Sequence, residues 1–321
     1  VLITLGIGGL YSNFQFLWDQ EKFPVTIAVS KTPLSTPFYV AKSINAFEDT
    51  CVTVEYDKVI GGQAAFEKVI SSEVDFGTSS DSVMAFQSLT KHSFVTHAMF
   101  VQSDNDVKLI TRSSDNVTSA MDLKGKKVGV TKNTASEYLL STLLAIEGLT
   151  MEDVELYNYK PKQLVQALSN NKVDAIVSWE PFAFKLSQSL GQDIKIHDTK
   201  SLSTLSFNLI SIKADSQLVE KAKCVIQGLY KAINYIASHP QKSKKIAIDE
   251  LDLDSAFIEW VWPDYIFKLG LNQSLILSIK SQATWAVETQ MRESTEIPNS
   301  ERFVDSRALL QVEPGAVNIL L

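Results

Sequence analysis

The stretch Gly125–Tyr138 joins a buried strand, a short polar loop and the start of a helix in one continuous segment. Val128 and Val130 flank a glycine in a short apolar run, which is typical of a strand covered on both faces. Thr134 and Glu137 have the spacing of a capping box, so a helix is predicted to begin there. Because the first amides of a helix have no partner within it, the stretch predicts backbone N–H groups above the end of a strand, where an anion can bind.

Four further junctions of this kind follow other predicted strands. Strands alternate with helices along most of the chain, which is typical of parallel or mixed sheets in an α/β protein. In such sheets, ligands bind outside the carboxyl ends of the strands. We therefore expect the five junctions to surround one cleft. They are Leu34–Pro37, Gly61–Gln63, Thr78–Asp81, Asn133–Ser136 and Ser178–Pro181.

The two halves of this alternating pattern resemble each other. Ile27–Ser30 precedes Val128–Thr131 by nearly the same number of positions as Val74–Asp75 precedes Val173–Asp174. Each of the two Val-Asp pairs follows a predicted helix and precedes a turn rich in capping residues. Similar order at similar spacing predicts two lobes of one kind.

Polar, turn-rich stretches at 113–122 and 201–204 indicate where the chain crosses between the lobes. The predicted division is an N-terminal segment at 1–24, lobe I at 25–112 and 205–321, and lobe II at 113–204. The N-terminal segment opens with the apolar run Val1–Leu10, which is too short to span a bilayer. This run is either the remnant of a signal peptide or membrane anchor, or an ordinary buried segment, and the sequence leaves both open.

Composition and motifs exclude several classes of function. The chain has 30 basic and 37 acidic residues and no basic run, which argues against a nucleic-acid partner. It has no P-loop, no Gly-x-Ser-x-Gly elbow and no His-Glu-x-x-His motif, and its 4 histidines are not spaced as metal ligands. We therefore predict a protein that is not an enzyme and has no cofactor or metal. Cys51 and Cys224 could form a disulfide, but we expect two separately buried thiols.

Several motifs, taken in order, carry a resemblance to a known family. They are Leu34–Ala41, Leu123–Val130, Val173–Pro181 and Leu271–Leu275, with Trp285 downstream. In this order they resemble the solute-binding proteins of ABC importers for nitrate, sulfonates, taurine and bicarbonate, together with the related thiamine-precursor binders. The resemblance covers roughly residues 25–315. It implies the type II periplasmic binding fold, in which two α/β lobes close on a small-molecule ligand.

The same resemblance implies a partner and a location. The partner is an ABC permease at the membrane, to which the ligand is delivered. The expected location is the periplasm, either free or anchored to the membrane and facing the periplasm. We also expect a monomer.

The predicted cleft contains groups suited to an anion and groups suited to an amine. Lys31 and Lys132 each follow the first strand of a lobe and could favour an anion. Trp179 could stack on a ligand, and Glu180 could bind an amine or a ring nitrogen. Ordinary capping, surface and packing roles remain open for each of these residues. The candidate ligand-binding residues are Leu34, Ser35, Thr36, Gly61, Gly62, Gln63, Thr78, Ser79, Ser80, Asp81, Lys132, Asn133, Thr134, Trp179 and Glu180.

Three functions follow from these observations. The first is a periplasmic solute-binding protein for a small organic anion or zwitterion, such as a sulfonate or taurine-like compound. The second is the ligand-sensing ectodomain of a membrane-anchored signalling protein, which the apolar run Val1–Leu10 would suit. The third is a thiamine-precursor binder, in which Trp179 and Glu180 hold an aromatic amine.

Overall fold

The computed structural model contains two β-sheets flanked by helices, which confirms the predicted α/β class. The residues that it describes are 22–132, 134–200, 202–213, 215–289 and 296–319. The apolar run Val1–Leu10 and the site candidate Asn133 lie outside these residues. Within them, no helix combines the length and the apolar character that crossing a membrane requires.

The helices and strands alternate along most of the chain. In chain order the strands are β1 (Phe23–Ser30), β2 (Val52–Val59), β3 (Phe76–Ser80), β4 (Phe94–Ser103), β5 (Val107–Arg112), β6 (Lys127–Val130), β7 (Glu155–Asn158), β8 (Ala175–Trp179), β9 (Ile194–Ile196), β10 (Leu205–Ile212), β11 (Tyr265–Asn272) and β12 (Val317–Asn318). The α-helices are α1 (Thr36–Ser43), α2 (Gly61–Ile70), α3 (Asp81–Ser88), α4 (Ala135–Ile146), α5 (Pro161–Ser169), α6 (Phe182–Leu190), α7 (Ser216–Ser238), α8 (Pro240–Leu251), α9 (Ser255–Val261), α10 (Gln273–Glu288) and α11 (Arg307–Val312).

The two sheets share one arrangement of strands. The first sheet has the order β12-β11-β4-β10-β3-β1-β2, and the second has the order β7-β6-β8-β5-β9. In the first, β1 lies between the parallel strands β2 and β3, and β10 follows β3 in the antiparallel direction. In the second, β6 lies between the parallel strands β7 and β8, and β5 follows β8 in the antiparallel direction. The similarity between the halves of the sequence therefore reflects two sheets of the same topology.

The two Val-Asp pairs make equivalent contacts in the two sheets. The backbone N–H of Thr26 donates to Asp75 Oδ2 at 2.9 Å, and the backbone N–H of Lys127 donates to Asp174 Oδ2 at 2.9 Å. Each aspartate also donates its own N–H to the carbonyl oxygen of the same partner residue. Each aspartate thus fixes the turn that leads into β3 or β8 against the neighbouring central strand.

The first crossing between the sheets lies earlier in the chain than predicted. Residues 107–112 form β5, which pairs with β8 and β9 and therefore belongs to the second sheet. The crossing is the short segment 104–106, so its predicted position at 113–122 and the placement of 107–112 in lobe I were wrong. The polar stretch instead contains the 3-10 turns Ser113–Asp115 and Ala120–Leu123. A polar composition indicates a surface segment, but it does not distinguish a crossing from a loop at one edge of a sheet.

The short crossing brings the carboxyl edges of the two sheets together. β4 runs parallel to β3, because both are antiparallel to β10, and it ends at Ser103 on the carboxyl edge of the first sheet. Val107 begins β5 and pairs with Trp179, which is the last residue of β8. The carboxyl ends of β3 and β8 therefore face each other across the segment 104–106. In α/β proteins this edge of a sheet is where ligands bind.

Each sheet has its own hydrophobic core. The larger core surrounds the first sheet and includes the buried side chains of Phe38, Phe66 and Phe100. The second sheet is covered on both faces: Leu139 of α4 lies in the cluster on one face, and Leu164 of α5 in the cluster on the other. The helix α4, whose start was predicted within Gly125–Tyr138, thus packs directly against the second sheet. Its N-terminus lies at the edge of that sheet that faces the first sheet.

The two cysteines form a disulfide. Cys51 lies immediately before β2, and Cys224 lies within α7, with their Cα atoms 5.6 Å apart. This separation is within the normal range for a disulfide. The expectation of two separate thiols was therefore wrong. A sequence separation of 173 residues carries no information about proximity, which arises only when α7 packs against the first sheet.

Candidate functional site

The junctions of the first sheet are held against one another by buried hydrogen bonds. Ser30 ends β1, and its backbone N–H donates to Thr78 Oγ1 at 2.9 Å. Ser79 Oγ donates to the carbonyl oxygen of Gly62 at 3.2 Å. A Cβ at Gly62 would lie 3.0 Å from the backbone nitrogen of Ser80, so only glycine permits this approach without adjustment. The predicted junctions at 61–63 and 78–81 therefore lie together at the carboxyl edge.

The first junction differs in detail from its prediction. A 3-10 turn at Pro33–Ser35 precedes α1, and Ser35 rather than Thr36 occupies the N-cap position. Thr36 Oγ1 instead donates to the carbonyl oxygen of Pro33 at 2.5 Å. Leu34, Ser35 and Thr36 are all buried, and Ser35 Oγ has no hydrogen-bond partner within the described part of the chain. Thr36-Pro37 is typical of an N-cap followed by proline at the first helical position, but here a turn of 3-10 helix moves the N-cap to Ser35.

The junctions of the second sheet are also joined to each other. Thr134 caps α4 as predicted, and its side-chain oxygen accepts from the N–H of Ser136 at 3.2 Å. Ser136 Oγ donates to the carbonyl oxygen of Val177 at 2.5 Å and so ties the start of α4 to the end of β8. Ser178 is fully buried, and its Oγ has no partner among the residues described. Both sheets therefore present a helix start and a buried, unpartnered serine hydroxyl at the facing edges.

Three candidates, Gly61, Gln63 and Lys132, are exposed, and two of them have polar side chains. Lys132 is exposed, and its backbone N–H donates to Asn158 Oδ1 at 3.1 Å. Gln63 is exposed on α2 and donates to Glu67 Oε1 at 2.8 Å. Neither side chain makes a hydrogen bond with the buried groups of the facing edges in the described structure, so their role as ligand contacts stays a prediction.

Glu180 is occupied by contacts within the protein. Its Oε1 accepts from Trp260 Nε1 at 2.7 Å and lies 3.3 Å from Lys108 Nζ. Its Oε2 accepts from the backbone N–H of Phe184 at 3.0 Å. The preceding Trp179 is half-buried and packs edge-on against Phe182, with ring centroids 6.2 Å apart. Glu180 thus joins β5, α6 and α9.

A second carboxylate lies beside this ion pair. Asp106 is buried in the first crossing and accepts from the hydroxyl of Tyr265 at 3.2 Å. Burial, reinforced by the negative charge of Glu180, raises the pKa of Asp106 to about 7, although Lys108 and Tyr265 oppose the rise. Two carboxylates and one ammonium group are therefore enclosed where the chain passes between the sheets.

Asp106→Asn is expected to stabilise the protein increasingly as the pH rises from 4 to 7. The folded state holds a proton on Asp106 below pH 7, whereas the unfolded state releases it near 3.8, so the wild type loses stability across this window. The gain from the substitution should grow by about 3 kcal/mol between pH 4 and pH 7. Denaturant unfolding of both proteins at four pH values measures it. A stability difference that does not change with pH would contradict the burial argument.

A cavity of about 350 Å³ lies between the helices of the two sheets. From the first sheet and its helices it is lined by Asp81, Ser206, Asn272 and Ser278, and from α4 by Tyr138. The second crossing contributes residues 202–204. Of the fourteen candidate residues that the structure describes, Asp81 alone lines this cavity. Ser206, Ser278 and Tyr138 were missed because no sequence pattern brings α10, β10 and α4 together, although Leu271–Leu275 carried the family resemblance.

Asp81 is the buried carboxylate of this cavity. Its Oδ1 accepts from the backbone N–H of Ser206 at 3.2 Å, and its Oδ2 accepts from Ser278 Oγ at 2.7 Å and from Gln282 Nε2 at 3.0 Å. Burial raises the pKa of Asp81, while these hydrogen bonds lower it. All the donors are neutral groups, so the negative charge has hydrogen bonds but no counter-ion among them.

Trp285 on α10 joins the helices of the two sheets. Its Nε1 donates to Ser141 Oγ on α4 at 2.8 Å, and its ring packs edge-on against Tyr138 with centroids 5.4 Å apart. It also contacts Phe86 of α3, at 6.4 Å between centroids. Near the first crossing, Phe184 of α6 packs against Phe257 and Trp260 of α9. The two halves are thus joined by aromatic side chains as well as by the crossings.

One grouping of metal-ligating side chains occurs in the described residues. It consists of Cys51, Glu220 and Cys224, whose ligand atoms lie within 4.8 Å of one another. Because the two cysteines are joined in a disulfide, they cannot supply thiolates. This grouping is therefore not suited to holding a metal in the oxidised protein.

Comparison with known proteins identifies the family. Residues 32–243, well over half of the chain, match the family described as NMT1/THI5 like. The chain belongs to the NMT1/THI5-like family. The sequence resembled proteins that bind sulfonates, taurine and thiamine precursors. This resemblance is confirmed, because relatives of the chain are named for binding aliphatic sulfonates, for binding taurine and for thiamine biosynthesis.

Three relatives show how far the sequence similarity extends. A Bacillus subtilis protein named for binding aliphatic sulfonates is 22% identical over 229 residues, covering 70% of this chain and 69% of that protein. The taurine-binding periplasmic protein of Escherichia coli is 22% identical over 158 residues, or 49% of each chain. A Brucella abortus protein named as a binding protein is 26% identical over 147 residues, which is 44% of this chain and 46% of that relative.

Solved structures confirm the predicted periplasmic binding fold. The periplasmic aliphatic sulphonate-binding protein of Escherichia coli superposes with a TM-score of 0.73 at 17% identity, covering 88% of this NMT1/THI5-like chain and 97% of that protein. The alkanesulfonate-binding protein of Xanthomonas axonopodis, solved with MOPS bound, gives 0.70 at 18% identity, with 89% and 99% covered. The two-sheet architecture is therefore shared across nearly the whole of both structures.

Proposed function

We propose that the protein is the solute-binding protein of an ABC importer and captures a small organic anion or zwitterion between its two lobes. The observation that supports this most is the meeting of the two carboxyl edges, where helix starts and a cavity of about 350 Å³ lie. A cavity of this size suits a small organic molecule. Relatives named for binding aliphatic sulfonates and taurine indicate the class of ligand.

The disulfide supports a location outside the cytoplasm. Disulfides persist in oxidising compartments such as the bacterial periplasm and are rare in the cytosol. Cys51 and Cys224 are bonded, and a relative is named as periplasmic. This supports our proposal of a periplasmic protein. We further propose a monomer, free or anchored to the membrane, that delivers its ligand to an ABC permease.

The candidate site residues keep their proposed role at this cleft. Ser35 Oγ and Ser178 Oγ are buried at the two facing edges and can donate to an anionic group. The backbone amides at the starts of α2 and α4 add the favourable end of the helix dipole. Glu180 is engaged by Lys108 and Trp260, which argues against its binding a thiamine-precursor amine, although a Haemophilus influenzae relative is named for thiamine biosynthesis.

A thermal-shift screen tests the proposed function. The panel contains ethanesulfonate, taurine, nitrate, bicarbonate, propionate, β-alanine and an aminopyrimidine, each at millimolar concentration. A ligand that binds only the native state must raise the melting temperature, so at least one sulfonate is expected to do so by several degrees. The proposal would be contradicted if no compound of the panel changed the melting temperature.

Trp285→Ala is expected to weaken binding of the ligand found in that screen by about 1–2 kcal/mol, or about 5- to 30-fold in Kd. Separation of the lobes breaks the Trp285 contacts with α4, so their loss favours the open state, in which a bridging ligand binds less tightly. Ser141→Ala removes only the hydrogen bond and should cost about 0.5–1.5 kcal/mol. Isothermal titration measures both. Equal affinities in the three proteins would show that Trp285 does not contribute to closure.

A further inference from the structure

The cavity beside Asp81 lies at the starts of α3 and α10 and differs from the starts of α2 and α4 in containing a buried carboxylate. Asp81 is the charged side chain among the residues that line it, and no lysine, arginine or histidine joins it in the described structure. The remaining polar lining is formed by hydroxyl and amide groups, including those of Ser206, Asn272 and Ser278. The starts of α3 and α10 contribute partial positive charge, whereas Asp81 contributes a full negative charge, so a positively charged group is favoured beside its carboxylate.

The hydroxyl protons of two lining serines are already engaged. Ser278 donates to Asp81 Oδ2 at 2.7 Å, and Ser274 donates to Asn272 Oδ1 at 2.7 Å. Because a serine has one proton, both oxygens can only accept a further hydrogen bond, and Ser278 Oγ already accepts one from Gln282 Nε2 at 3.0 Å. These serines therefore present acceptors to a ligand, which matches an ammonium group with three N–H donors.

Two amide oxygens behind the lining residues have no donor in the described part of the chain: Gln282 is bonded to Asp81 and Asn208 to Ser206, and neither amide lines the cavity itself. Gln282 donates through Nε2 to Asp81, and Asn208 donates through Nδ2 to Ser206 Oγ at 3.1 Å. Gln282 Oε1 and Asn208 Oδ1 are buried and have no hydrogen-bond partner within the residues described. A buried acceptor without a donor is costly, so this region has more acceptors than donors.

The remaining walls suit a short hydrocarbon. Met99, Leu202 and Leu277 are apolar residues that line the cavity. A small molecule could place its methylene groups against these side chains while its ammonium group faces the acceptors. The volume of about 350 Å³ is sufficient for such a molecule.

We propose that the Asp81 cavity binds the ammonium group of the ligand, so that the protein selects small primary amines, and aminosulfonates in particular, over simple anions. This inference rests on the proposed function and narrows its ligand class. The anionic end of the ligand is held at the helix starts, and Asp81 supplies the opposite charge. Ionised Asp81 then gains the counter-ion that its neutral neighbours do not provide.

Matched pairs of compounds test the inference by isothermal titration. Taurine is compared with ethanesulfonate, and β-alanine with propionate, because each pair differs by the amino group. We expect the wild type to bind the amine of at least one pair at least about tenfold more tightly. Asp81→Asn should reduce this preference to less than about threefold, since it removes the charge and retains an oxygen that can accept from Ser206. Rotation of the Gln282 amide lets its oxygen accept from the new amide, so the variant should fold.

A steric variant tests the same cavity independently. Ser281 is an exposed residue of α10 that lines the cavity, and its neighbour Lys280 is exposed without lining it. Ser281→Trp should therefore weaken amine binding about tenfold or more, while Lys280→Trp should bind as the wild type does. Melting temperatures of both variants confirm that they are folded.

The outcomes separate the inference from the proposed function. If the members of each pair bind equally, or if Asp81→Asn keeps the preference for the amine, the inference is overturned while the proposed function stands. If none of the four compounds binds, the inference is also overturned, and the proposed function depends on the wider thermal-shift panel. The inference is supported if Asp81→Asn removes the preference for the amine and if Ser281→Trp weakens amine binding while Lys280→Trp does not.

Discussion

Replacing Cys51 and Cys224 together with serine is expected to lower the free energy of unfolding by about 5 kcal/mol. The disulfide closes a loop with a sequence separation of 173 residues, which contains the whole of the second sheet. In the chain-entropy description, a cross-link that closes so long a loop removes a large amount of freedom from the unfolded chain. The loss is large compared with the usual stability of a folded domain, so the variant should be only marginally stable.

Denaturant unfolding of the oxidised wild type and of the double variant measures this loss. A reducing agent provides the control, because it should destabilise the wild type towards the variant and leave the variant unchanged. A difference of less than about 1 kcal/mol between the two proteins would show that the disulfide adds little to the packing of α7 on the first sheet.

Glu180→Ala is expected to destabilise the protein by about 3–5 kcal/mol. The side chain of Lys108 is 3% exposed, and its Nζ lies 3.3 Å from Glu180 Oε1. Removal of the carboxylate takes the ion-pair partner from a buried ammonium group, which keeps the carbonyl oxygen of Asn105 as an acceptor, and it also removes the acceptor for Trp260 Nε1. The largest effect of this substitution should therefore be on folding and not on a direct contact with ligand.

A double variant distinguishes the loss of the ion pair from the loss of packing. Lys108→Met combined with Glu180→Gln removes both charges while it retains an oxygen for Trp260, so it should recover most of the stability lost in Glu180→Ala. Unfolding of all three proteins is compared at one pH, because the charge of Glu180 raises the pKa of Asp106 and its removal weakens that rise. If the double variant is as unstable as Glu180→Ala, an unpaired buried charge is not the cause.

Local patterns were sufficient to predict the elements that position the site. The alternation around Val128 and Val130 identified β6, and Thr134 marked the start of α4. The spacing of Val74–Asp75 and Val173–Asp174 predicted two lobes of one kind, because both aspartates fix the same turn against a central strand. These features depend on neighbours in sequence or on a single pair of adjacent strands, so they are visible in the chain itself.

Contacts between distant segments could not be predicted in this way. The cysteine pair and the bonds from Asp81 to Ser278 and Gln282 join parts of the chain that only the complete fold brings together. The buried pair of Lys108 and Glu180 is a further case, since a lysine in a predicted strand ordinarily indicates an exposed position. Sequence patterns therefore located the edges of the cleft, whereas the cavity and the buried charges depend on tertiary packing.

The distance between the lobes, measured with and without ligand, tests the central claim most directly. Spin labels are placed at the exposed positions Glu67 on α2 and Lys162 on α5 after substitution with cysteine, and the disulfide keeps the native cysteines from reacting. A control pair at Glu67 and Lys242 reports on one lobe alone. On addition of taurine, or of whichever panel compound stabilises the protein most, we expect the distance between lobes to shorten and the control distance to remain constant. A saturating ligand that changes neither distance would contradict capture between two closing lobes.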